Sequence, residues 1–190
     1  MTFGNPDEFA IEAYHEPAQP GLVGFGRMAI HFSSTIIGKL SEEHCGLGGG
    51  AETFRALHSS LSTLWDASFA ELSATEIFAI IDRALYIDVG QSDIAVRKDA
   101  DRYARFDFLT NAGEQFDGFK TFIAAEPQGE VRIFFQDPDG VLGSARCSMA
   151  AFQSASCAFV AWYDAQCSVG SNVFQQSVQA DGPASGGSAA

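Results

Sequence analysis

The chain has 190 residues, 46% of them hydrophobic, with 24 Asp and Glu against 11 Lys and Arg for a formal net charge of -13. The hydrophobic share supports one packed core and excludes wholesale disorder. The acid excess excludes direct nucleic-acid binding, which needs Lys and Arg to meet phosphate, and it suits a basic partner.

No apolar run reaches the roughly 18–20 residues of a spanning helix, so no membrane partner is expected. Residues 1–16 hold four acids and no Lys or Arg, which is unlike a secretory signal, so the expected location is cytoplasmic. Cys45, Cys147, Cys157 and Cys167 contain no Cys-x-x-Cys pair and are expected as free thiols.

Residues 9–14 and 22–32 read as strands. In the second, Met28, Ile30 and Phe32 alternate with Ala29 and His31. Residues 35–40 offer a short third strand, and residues 46–50, rich in glycine, read as a loop. Over residues 52–65, Phe54, Leu57, Leu61, Leu64 and Trp65 fall on one helical face. A second helix begins at Ser73, where Glu76 completes a capping box and Ile77, Ile80, Ile81 and Leu85 supply the apolar face. An antiparallel meander follows: Phe106 and Phe108 around Asp107, then residues 116–124, 131–135 and 141–149. Its links, Asn111-Ala112-Gly113, Glu126-Pro127-Gln128-Gly129 and Asp137-Pro138-Asp139-Gly140, carry turn chemistry. A closing helix over residues 150–164 holds Phe152, Phe159 and Trp162. The fold class is α+β, a largely antiparallel sheet packed against two or three helices, in a single domain over residues 1–166. Residues 167–190 carry one charge, Asp181, and read as a flexible low-complexity tail.

No motif amounts to an active site, and no cofactor is expected. The glycines of residues 21–26 are in the wrong order for a dinucleotide fingerprint, and residues 46–50 lack the Lys-Ser/Thr of a phosphate loop. Asp137-Pro138-Asp139-Gly140 opens like a calcium loop but lacks the later acidic ligands, which makes it a hairpin turn. His15, His31, His44 and His58 are scattered, so no metal is expected. Cys45 with a distant His is a possible thiol dyad, but Glu42 and Glu43 beside it would raise the thiol pKa. The acids concentrate in residues 66–93, six against one Arg, and in residues 99–139, nine against four Lys and Arg.

The opening Gly4-Asn5-Pro6, followed by Phe9-Ala10-Ile11-Glu12, resembles that of a bacterial immunity-protein family from polymorphic toxin systems, immunity protein forty-two. That opening usually reads Gly-Asp-Pro, so Asn5 departs from it. Residues 114–120 and the last helix with Trp162 also resemble the family's layout, which extends the likeness over residues 3–166. The resemblance implies a cytoplasmic antidote without chemistry of its own, which binds a cognate toxin and occludes its active site. The -13 charge adds the expectation of a basic toxin, a nuclease or a deaminase acting on nucleic acid. In the opening motif, Gly4 and Pro6 are expected to set a turn before the first strand, with Phe9 and Ile11 in the core. The toxin-facing groups are expected among acids on hairpin loops and the sheet edge: Asp99, Asp101, Glu114, Asp117, Asp137 and Asp139, with Tyr103 as an aromatic anchor. The alternative is a small hydrolase-like or ligand-binding enzyme with dispersed carboxylates, which requires a deep pocket holding two convergent acids.

Overall fold

The computed structural model describes residues 1–16, 24–32, 35–43 and 45–180, with 168–180 described by backbone alone. Among the described residues, eight strands divide into two antiparallel sheets. The first contains β1 (Thr2–Asn5), β2 (Phe9–His15), β3 (Phe25–Phe32) and β4 (Thr35–Ile37) in that order, with β5 (Cys45–Gly46) also paired to β3. The second is a meander of β6 (Lys120–Ala125), β7 (Glu130–Gln136) and β8 (Leu142–Ser148). The helices are α1 (Gly48–Ser60), α2 (Ala74–Tyr86), α3 (Asp93–Tyr103) and α4 (Met149–Ala180). The α+β expectation therefore holds, with two sheets in place of one and four α-helices among the described residues.

The turn expected of Gly4 and Pro6 falls at residues 6–8, so Pro6 opens it, while Gly4 and Asn5 lie within a strand that already precedes it. β1 and β2 make a hairpin in which Thr2 pairs with Glu12 and Asn5 with Phe9. Glu8 at the turn accepts hydrogen bonds from the Ser148 backbone N–H at 3.0 Å and hydroxyl at 2.7 Å, tying the hairpin to the start of α4. Gly4 has φ +98°, and a Cβ there would lie 2.8 Å from Ala155 Cβ. Only glycine lets β1 pass this close to α4 in that conformation. Phe9 and Ile11 are fully buried, as expected.

Three further departures have physical causes. The glycine-rich stretch read as a loop supplies the first turn of α1. A Cβ at Gly49 would meet Ala112 O at 2.6 Å and one at Gly50 would meet Met28 Cε at 2.6 Å, so these glycines serve close packing. The strand expected at Phe106 and Phe108 is a 3-10 turn (Ala104–Phe106) followed by one bridge from Asp107 to Phe122. Pairing stops there because the Thr121 hydroxyl accepts from Leu109 N–H at 2.9 Å in place of a backbone carbonyl. α3 was not foreseen, since Tyr103 is its sole buried residue and no apolar stripe marks it.

The core is a chain of phenylalanine rings. Phe54 lies 5.7 Å from Phe108, 5.9 Å from Phe152 and 5.8 Å from Phe159, and Phe152 reaches Phe9 at 4.8 Å. α4 packs on β1, β2 and α1 and also touches β7 and β8, so it joins the two sheets. α2 packs on β7, β8 and α3. The capping box stands as expected, with Ser73 and Glu76 satisfying each other's backbone N–H groups. The closing helix continues past residue 164 to Ala180, and residues 181–190 of the expected tail lie outside the described residues.

The polar helix α3 is held by charge. Arg102 donates from Nε and Nη2 to the two carboxylate oxygens of Asp66, each at 2.8 Å, while Asp66 also accepts from Ser68 N–H at 3.0 Å. The Arg102 guanidinium, with help from Ser68, holds the Asp66 carboxyl well below the usual carboxylate range. The folded state therefore favours the ionised carboxylate, and its stabilisation is complete above the unfolded value of about 4 and lost as pH falls below it. With Arg102 half-exposed, we expect Asp66→Asn to cost about 1–2 kcal/mol at pH 7. That deficit should shrink as the pH is lowered from 4 to 2.5, read from urea midpoints of both proteins.

Candidate functional site

Three loops far apart in sequence meet at one edge of the molecule. Lys39 N–H donates to Gln115 O at 2.8 Å, which joins the segment after β4 to the one before β6. A Cβ on Gly118 would lie 3.2 Å from Pro138 Cγ, so the same segment also abuts the β7–β8 turn. This edge carries Glu42, Glu43, Glu114, Asp117, Asp137 and Asp139, with Lys39 and Arg27 as bases beside them. Glu43 pairs with Arg27 at 2.7 Å, and Arg27 also bridges to Glu16. Glu114, Asp117, Asp137 and Asp139 form no ion pair among the described residues. All but the half-buried Asp137 are exposed.

Local chemistry fixes each of these loops. Asp137 accepts from Asp139 N–H at 3.0 Å and Val141 N–H at 2.8 Å, which closes the hairpin and engages the carboxylate as a turn-former. The turn expected at Asp137-Pro138-Asp139-Gly140 is therefore present. Glu114 opens a 3-10 turn (Glu114–Phe116) and accepts from Gly46 N–H at 3.4 Å. Gln115 and Phe116 beside it are fully buried and anchor the turn, leaving Asp117 at the surface.

The other three sequence-predicted residues lie elsewhere. Asp99 and Asp101 are on helix α3, not on a hairpin loop or sheet edge. Along this helix, acids alternate with bases: Asp93 and Asp101 share a shallow cleft with Arg97 and Lys98. Opposite charges so interleaved leave little net field. Tyr103 is 8% exposed and packs against Phe106 with Arg102 over its ring, so it has no exposed face to serve as an anchor. Glu42 and Glu43 also belong to the acidic edge, and their distance in sequence conceals their proximity to Glu114.

A further cleft joins an acid to bases. Trp65, Phe69, Glu126, Arg132 and Arg146 line this cleft of about 400 Å³, where Glu126 lies 3.7 Å from Arg132 and 3.4 Å from Arg146. Cys45 is buried, and burial, followed by Glu114 and Glu42, pushes its thiol pKa up. His44 lies outside the described residues. Among the described residues, no group of three or more His, Cys, Asp or Glu is placed to hold a metal, and no helix is long and apolar enough to cross a membrane.

The site thus belongs to an α+β domain whose first hairpin is tied to the start of its last helix and whose acids lie on loops at one edge. The family model described as Immunity protein 42 matches residues 1–162, and the chain belongs to that family. No curated protein and no solved structure matches it.

Proposed function

We propose that this immunity protein neutralises its cognate toxin in the cytoplasm by binding, without catalysis, and lays the acidic loop edge over a basic active-site groove. The carrying observation is the convergence of Glu114, Asp117, Asp137 and Asp139 on one edge, where none of the four forms an ion pair among the described residues. Carboxylates at the ends of stiff turns stand where phosphates would stand in a nucleic-acid groove, which makes a nuclease or a nucleic-acid deaminase the fitting target. Acids not neutralised within the protein retain their field for a partner, steer its approach and disfavour acidic competitors. The test is co-expression with the toxin domain encoded beside it. A stable complex and restored growth are expected. A toxin that kills undiminished and forms no complex would refute the reading.

A further inference from the structure

A second arrangement lies in the seam between α1 and α4. Cys157 and His58 are 99 residues apart, yet Cys157 Sγ lies 3.3 Å from His58 Nδ1. The pair opens into a groove of about 270 Å³ walled by Phe54, Val160 and Ala161, with the Arg55–Asp164 ion pair at 2.7 Å on its rim. Cys157 is exposed, whereas Cys45 and Cys147 are buried and Cys167 is intermediate. Of the four thiols, Cys157 thus combines solvent access with a neighbouring imidazole.

We propose that Cys157 is a site of reversible thiol modification, with His58 as its base and a low-molecular-weight disulfide as its reactant. His58 Nδ1 takes the Cys157 thiol proton, and the thiolate attacks one sulfur of the disulfide. A new S–S bond forms at Cys157 as the old one breaks. The departing thiolate takes the proton from the imidazolium and leaves as a free thiol. The balance is one protein thiol and one disulfide giving one mixed disulfide and one small thiol, with no other oxidant. Both residues sit within helices, where backbone N–H groups are committed to carbonyls one turn back. The site therefore offers no main-chain oxyanion hole for acyl transfer, whereas disulfide exchange, with its thiolate leaving group, needs none.

The experiment treats the full chain with oxidised glutathione at pH 7 and follows adducts by intact mass and peptide mapping. Cys157 is expected to be modified first, roughly tenfold faster than Cys167. His58→Asn, with its fold checked by circular dichroism, is expected to slow the Cys157 adduct roughly tenfold. If that variant fails to fold, His58→Gln serves the same comparison. Equal modification of Cys157 and Cys167, or a folded His58 variant reacting at the wild-type rate, would overturn the proposal.

Discussion

Phe54→Ala is expected to destabilise the protein by about 3–5 kcal/mol, read as a shift in the urea midpoint with an unchanged slope. Phe54 is fully buried, and three other phenylalanine rings, from the 104–109 segment and from two turns of α4, close around it. Truncation removes the transfer free energy of the ring and leaves a void that stiff neighbours cannot collapse into. The edge-to-face contacts with Phe108 and Phe159 are lost as well, each worth about 0.5–1.5 kcal/mol in comparable pairs. The loss falls where α1 meets α4, so it weakens the attachment of the helix that connects both sheets. A loss below about 1 kcal/mol would show that this ring cluster is not the centre of the core.

The second large effect concerns association with the toxin. Neutralising the acidic edge with Glu114→Gln, Asp117→Asn and Asp139→Asn together should slow association roughly tenfold to a hundredfold at low salt. Asp137 is left unchanged because its carboxylate closes the β7–β8 turn, and losing it would confuse folding with binding. The difference between the variant and the wild type should narrow as salt rises and the screening length shortens. The companion variant Asp99→Asn with Asp101→Asn should alter the rate less than twofold, because α3 interleaves its acids with Arg97, Lys98 and Arg102. Stopped-flow mixing with the toxin domain measures both. A larger effect from the α3 pair would move the interface to that helix.

Legibility in the sequence followed the length scale of each physical signal. β3 and α2 announced themselves because hydrophobic period and capping are local: Met28, Ile30 and Phe32 alternate, and Ser73 and Glu76 are three residues apart. α3 had no such period, since a surface helix tethered by Asp66 and Arg102 buries almost nothing. Its Ser92 cap and the Asp93 in its first turn were the signals that could have revealed it. The division of the strands into two sheets depends on pairings that no local pattern encodes. The same holds for the candidate sites. Asp137-Pro138-Asp139-Gly140 is readable as a turn, but its meeting with residue 118 is set by packing. Cys157 and His58 share no motif because two helices, not one loop, bring them together.

The glycine-rich start of α1 bears on where that helix gets its stability. Leu47 at its N-cap makes no side-chain capping bond, and three glycines follow it. Each costs an isolated helix about 1 kcal/mol relative to alanine, so this turn has little stability of its own. What it has is room to approach Met28 and Ala112. The first turn of α1 therefore draws its stability from packing on β3 and the 109–113 segment, so a substitution that loosens either neighbour should fray α1 at this end first.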